Sequence, residues 1–182
     1  PRGSRVVALV ASTEPRCEHY SSHAQLCEGG TVDCLTPLLA AAMARYRARA
    51  GRDPEHILVY RNGVSDAEIA LIEDSRGAVP SELKQLRRAF DGMEYPPALV
   101  CVLVVRKAST RIFSFAGNPA PGTVADDTIT VHPVDPRLGL QRRDFYLIAQ
   151  SVREGCVRPT HCRVLHNTTA LDIPALERAT YA

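Results

Sequence analysis

Ile57-Leu58-Val59-Tyr60-Arg61-Asn62-Gly63-Val64-Ser65-Asp66-Ala67-Glu68 is a short apolar run that stops at a tight turn and opens at once into a helix signal. The apolar run predicts a strand. Asn-Gly predicts the turn, because both residues tolerate left-handed backbone angles. Ser65-Asp66-Ala67-Glu68 is a capping box, in which serine and glutamate reciprocally satisfy backbone donors at a helix start. A strand, a turn and a helix start in succession build an α/β sheet, and open α/β sheets place their chemistry at the carboxyl ends of strands. Asn62 stands at that position. A second reading of it stays open, since turn chemistry alone favours asparagine before glycine.

Outward from this unit the chain alternates. Towards the amino end, Leu35, Leu38, Leu39, Ala42, Met43 and Tyr46 recur at helical spacing, with Arg45, Arg47 and Arg49 near the carboxyl end, where cations suit the dipole. Gly51 and Pro54 close this helix. Val6 to Val10 is compact and rich in β-branched residues, which predicts a strand buried on both faces, and Thr13 to Asp33 reads as a polar segment.

Towards the carboxyl end, the capped helix runs through Ile69, Ile72 and Glu73 until Gly77 and Pro80 interrupt it. Ser81 then caps a second piece containing Leu83, Leu86 and Phe90. Ala98 to Val105 is uninterrupted and valine-rich, a central strand, with alternating Arg111-Ile112-Phe113-Ser114-Phe115 as its hairpin partner. Asn118 to Asp127 is turn-rich, Ile129 to Val131 a brief strand candidate, and Arg137 to Arg143 a loop. Asp144 to Ile148 and Thr160 to Leu165 read as the last strands, and a helix starts near Asp172-Ile173-Pro174. The pattern is α/β with a mixed sheet flanked by helices, in one domain.

With 182 residues and 45% hydrophobic content the chain can bury a real core. A net charge of +2 gives no global basic field, so any groove for nucleic acid is local. The cations are almost all arginine, Lys84 and Lys107 being the only lysines. Arginine's planar fork suits phosphate, although a coding bias gives the same count. The six cysteines form no Cys-x-x-Cys pair and no secretory signal opens the chain, which suits a reduced compartment, cytoplasmic with the nucleus as second candidate. No apolar run approaches the roughly 20 residues of a membrane helix. Asn167-Thr168-Thr169 matches a glycosylation acceptor but reads as a polar loop. The abrupt start at Pro1 reads as an excised piece.

Cys17, His19, His23 and Cys27 supply four soft ligands within that polar segment, enough in number for tetrahedral zinc, but their spacing fits no standard finger. Buried cysteines and solvated histidines are the commoner outcome, and no metal is assigned.

Several segments carry a family resemblance. Tyr60-Arg61-Asn62-Gly63-Val64-Ser65 resembles the Tyr-Arg-Asp-Gly-Val-Ser segment of the PIWI domain of Argonaute and Piwi proteins. Thr110-Arg111 before an aromatic run is similar to its His-Thr-Arg segment, and Pro121-Gly122-Thr123-Val124 with Asp126 to its Pro-Gly-Thr-Val-x-Asp turn. Asp144-Phe145-Tyr146-Leu147 and Arg158-Pro159-Thr160-His161 match two further segments in order. Single tetrapeptides are weak signals, but their conserved order along the chain is a strong one.

The resemblance implies a ribonuclease H-like fold over 1–182, truncated at both ends, in a protein that holds a small guide RNA and finds complementary target nucleic acid with it. It also implies silencing-complex proteins as partners and no membrane. Of the family's four catalytic positions, the first aspartate falls upstream of Pro1 and the last beyond Ala182. The loop glutamate falls near Gly30, with Glu28 two residues away, and the third position is Asn62, an amide in place of a carboxylate. A Mg²⁺ site for phosphodiester cleavage uses hard anionic oxygens, so the change removes one unit of charge from the cage. Mg²⁺ is therefore implied only if cleavage is retained, by carboxylates outside this chain. A scaffold that binds protein and has lost RNA is the third reading.

Lys107, Arg111 and Arg158 fall on the family's basic backbone-binding positions, with Thr110 and Gln150 as lesser contacts. Phosphate contacts position a strand without reading its bases, which suits a protein whose sequence choice comes from the guide. The channel lining departs from the family at Ser109, Gln150, Cys156 and Cys162. His161 is a strand histidine, expected to be packed and hydrogen-bonded rather than a catalytic base.

Overall fold

The computed structural model describes residues 4–27, 32–62, 81–106, 108–115, 117–126, 129–130 and 144–181. They fall into two compact units, Pro1–Ile57 with Ser65–Ala98, and Leu58–Val64 with Leu99–Ala182.

In the first unit, β1 (Arg5–Ser12) pairs antiparallel with β2 (Tyr20–Cys27), Val6 opposite Leu26 and Leu9 opposite His23. One face of this pair, through Val7 and Leu9, packs on Cys27, Cys34 and Leu38. The other is open, with Val6 72% and Val10 63% exposed. The expectation of a strand buried on both faces is thus corrected: successive residues point to opposite faces, and only one face is covered. The polar segment after Thr13 is corrected as well, since its second half is β2.

α1 (Leu35–Ala50) buries Leu35, Leu38, Leu39, Ala42 and Met43, the stripe expected from its spacing. Gly51 closes it in the left-handed conformation at φ 73°, donating its N–H to the Arg47 carbonyl at 2.9 Å. α2 (Glu82–Arg88) starts at Ser81, whose Oγ accepts from the Lys84 N–H at 3.2 Å, the expected cap. The buried Gln85 ties α2 to the start of α1: its Oε1 accepts from the Leu35 N–H at 3.2 Å and its Nε2 donates to the Val32 carbonyl at 2.7 Å. A buried amide with these partners specifies one arrangement of the two helices, because leaving it unpaired would be costly.

The five-stranded sheet runs in the order β3 (His56–Asn62), β4 (Ala98–Val105), β7 (Thr160–Asn167), β6 (Asp144–Leu147), β5 (Val124–Ala125). β4 is antiparallel to β7, with a shift in register between Cys101 and Val102, and β7 is antiparallel to β6. β4 is thus an interior strand with a neighbour on each side, next to β7 at the centre. Its expected hairpin partner is corrected: Arg111 to Phe115 form no strand, and apart from an isolated bridge between Ser114 and Gly117 that segment is irregular. A strand distant in sequence, β7, pairs with the valine-rich β4 instead.

The second unit's core joins Val100, Val102, Phe145, Leu147, Cys162, Val164 and Leu176, with Leu58, Val124 and Ile173 against them. Each fully buried side chain of this size contributes about 1.5–3 kcal/mol. Leu176 comes from α3 (Ile173–Tyr181), where the Asp172 carboxylate accepts from the Ala175 N–H at 2.8 Å and starts the helix. Ile129 and Thr130 are not in a strand. The capping box at Ser65–Glu68, the helix through Ile72, Val131 and the loop at 137–143 lie outside the described residues.

Candidate functional site

β3 carries Asn62 to its last position, where the side chain is exposed. Two residues earlier, the Tyr60 hydroxyl donates to Thr180 Oγ1 at 3.1 Å, so the carboxyl end of α3 is held beside the end of β3. The Arg61 guanidinium donates to the Asn62 carbonyl. Tyr181 in turn lies over Gly122: a Cβ there would meet the ring at 3.2 Å, and φ is 86°, so this turn takes glycine on both counts. The Gly122 N–H donates to the Ile148 carbonyl at 2.7 Å, and the Ile148 N–H to the Thr123 carbonyl at 2.9 Å, which fixes the turn onto the end of β6. On the same helix, burial and the neighbouring Asp126 raise the Glu177 carboxyl above the ordinary range.

β6 and β7 present a polar cluster on one face and the core on the other. The register sets Asp144 opposite Arg163 and Tyr146 opposite His161, and residues two apart share a face. Asp144 Oδ2 meets His161 Nε2 at 3.2 Å and Arg163 Nε at 3.3 Å, with side chains only 14%, 19% and 24% exposed. The His161 ring stacks on Tyr146, centroids 4.4 Å apart. His161 is therefore packed and hydrogen-bonded. Sequence reading missed Asp144 as its anchor; the period-2 alternation of the two strands was the available signal. On the opposite face, burial pushes the Cys162 thiol up to about 12, so it is an inert core residue.

The proposed strand-contact residues fall on two connections of the second unit. Gln150 and Arg158 lie on the one between β6 and β7, both exposed, with Arg158 set between buried Val157 and Pro159. Thr110 and Arg111 lie beyond β4. Arg111 Nη1 donates to the carbonyls of Ala108, Ser109 and Thr110 at 3.0, 3.2 and 2.8 Å, so it shapes its own loop as well as carrying charge. The connections meet at Asn118, whose Nδ2 donates to the Gly155 carbonyl at 2.8 Å and whose Oδ1 accepts from the Val157 N–H at 3.0 Å. Lys107, Glu28 and Gly30 lie outside the described residues.

The four candidate zinc ligands do not come together. His19 Nδ1 bonds the Glu14 carboxylate, Cys27 lies in the core against Cys34, and β2 separates His23 from Cys27 along one face. The potential ligand groups among the described residues are Cys27 with Asp33 and Cys34, and Glu14 with Glu18 and His19. Burial, with the Cys27 thiol alongside, pushes the Cys34 thiol up to about 12. Asn62 offers a neutral amide, which does not supply the anion a divalent-ion cage draws on.

A family model described as Piwi domain matches residues 2–182. The Piwi-like protein Siwi of Bombyx mori is 35% identical over 147 residues, 79% of this chain and 15% of that protein. Protein piwi of Drosophila melanogaster is 32% identical over 178 residues, 96% of this chain and 20% of that protein. The chain thus spans no more than a fifth of the length of these curated relatives. Among solved structures, Drosophila Piwi is 28% identical with a TM-score of 0.75, covering 98% of this chain and 25% of that one. An Argonaute of Kluyveromyces polysporus, solved with a guide RNA, is 19% identical with a TM-score of 0.80, covering 98% and 23%. The expected fold class holds: a ribonuclease H-like mixed sheet flanked by helices.

Proposed function

This chain belongs to the Piwi domain family, and from that premise we propose that it is one incomplete PIWI domain that holds a small guide RNA and presents it to a complementary target without cutting that target. The observation that carries the second half is Asn62, exposed at the end of β3 with an amide where cleavage would use a carboxylate. Coulomb energies scale with charge at fixed distance, so the exchange removes the attraction of one anion for each nearby cation. When bound, divalent ions would activate water and steady the leaving oxygen. This chain's own residues instead position the strand. Arg158, with Lys107 and Arg111, meets phosphates, while Thr110 and Gln150 add neutral hydrogen bonds.

Sequence choice then rests on base pairing by the guide, and the protein's contacts set affinity and its salt dependence. The partners are the guide, the target and the proteins of a silencing complex. None of the six cysteines is disulfide-bonded, which suits a reduced compartment, cytoplasmic or nuclear. No helix among the described residues is long and apolar enough to cross a membrane. The test is to purify the full-length protein under mild salt and sequence the nucleic acid that accompanies it. A population of short RNAs of narrow length is expected; protein free of nucleic acid, and unable to take up a synthetic guide, would overturn the proposal.

A further inference from the structure

Phe113 and Phe115 are exposed at 62% and 115%, two residues apart in the segment that follows β4. Scattered apolar residues on a surface need no explanation, but two bare rings beside arginines do. Their backbone is closed by a two-way bridge: the Ser114 N–H donates to the Gly117 carbonyl at 2.8 Å, and the Gly117 N–H returns to the Ser114 carbonyl at 3.1 Å. Gly117 has φ 111°, open to glycine and strained for other residues. Asn118 then bonds to Gly155 and Val157, on the connection between β6 and β7 that also carries Arg153 and Arg158. Arg111, folded over its own carbonyls, precedes the rings. Arg111, Arg153 and Arg158 are all exposed. Glu154 is exposed in the same connection and offsets one of these charges.

Resting on the guide-holding reading above, we infer that Phe113 and Phe115 form a stacking platform for unpaired nucleobases, on a tip whose arginines take the adjoining phosphates. The occupant follows from the chemistry. Exposed arginines on the same two connections as exposed aromatic rings match a polyanion whose repeating unit carries a π-face, and a base inside a duplex has both faces covered by its neighbours. The bonds at Ser114, Gly117 and Asn118 tether the chain on the far side of the rings before binding, which lowers the ordering entropy that opposes the contact. Stacking tolerates any base, which agrees with a protein that leaves sequence reading to the guide.

The test compares two synthetic probes on guide-loaded full-length protein: a target that ends flush with the guide, and the same target with a single-stranded extension. The double variant Phe113→Ala, Phe115→Ala is expected to weaken binding of the extended target about tenfold, a typical loss for a stacked base, and to leave the flush target unchanged. Phe115→Tyr is expected to keep extended-target affinity, and Phe115→Leu, apolar without a π-face, to lose part of it. Equal affinity of the alanine variant and the wild type for the extended target would overturn the inference. So would full affinity in the leucine variant, because a merely apolar contact survives that change. Failure of the wild-type protein to bind the flush target would sink the guide-holding reading instead, so the two failures are distinguishable.

Discussion

Asp144→Ala is expected to lower the opening free energy of β6 and β7 by about 2–4 kcal/mol, below the full cost of breaking a buried pair because some solvent reaches the cluster. The carboxylate is shared by His161 at 3.2 Å and Arg163 at 3.3 Å, so its removal strands a largely covered cation and a ring nitrogen together. Desolvation without a partner, rather than the lost attraction, dominates that cost. Asp144→Asn keeps an acceptor oxygen but no charge, and is expected to fall between alanine and wild type. Amide hydrogen exchange on the full-length protein reads the effect locally, since protection at β6 and β7 reports their own opening. Wild-type protection in both variants would mean that water already satisfies Arg163 and His161.

Lys107→Ala with Arg158→Ala is expected to weaken binding of a guide–target duplex by about ten- to a hundredfold at moderate salt, and to flatten the salt dependence of log affinity by about two units of slope. Arg158 is the cleaner probe of the pair. Its neighbours Val157 and Pro159 are buried, so the backbone is anchored and the exposed side chain can be trimmed without moving it. Arg111 is a poorer probe, because its Nη1 bonds three carbonyls of its own loop and its loss would disturb the loop as well as the charge. The weakening is expected for any guide sequence, since phosphate contacts carry no base information. Unchanged affinity at moderate salt would remove both residues from the interface.

Local signals carried most of the fold. The Leu35 stripe, the Ser81 cap, the valine run from Ala98 to Val105 and the short strand at Asp144 each hold enough period or punctuation to be read alone, and each appears as expected. What failed was the hairpin: Arg111 to Phe115 alternate yet form no strand, and β4 pairs elsewhere. Nothing near Arg111 to Phe115 says that β4 will choose β7, because alternation predicts a strand without naming its neighbour. The apolar run from Val6 to Val10 predicted too much burial, since such a run cannot tell one covered face from two.

The site was legible through motifs more than through physics. Asn62 could be placed from the strand, turn and capping box, and its chemistry from the amide alone. The cluster of Asp144, His161 and Arg163 depends on register between strands that lie well apart in sequence, and the exposure of Phe113 and Phe115 depends on where Asn118 fastens their turn. Neither is written in local sequence. The soft ligands Cys17, His19, His23 and Cys27 are near in sequence without a finger's spacing, and β2, with its residues extended, keeps His23 and Cys27 apart.

The most direct measurement follows the fate of a labelled target. Full-length protein loaded with a guide of known sequence is mixed with its complement and Mg²⁺, and the target is resolved on native and denaturing gels. A target that shifts into the complex and is recovered at full length is the predicted result. A target cut opposite the guide, or one that never joins the complex, would contradict the account.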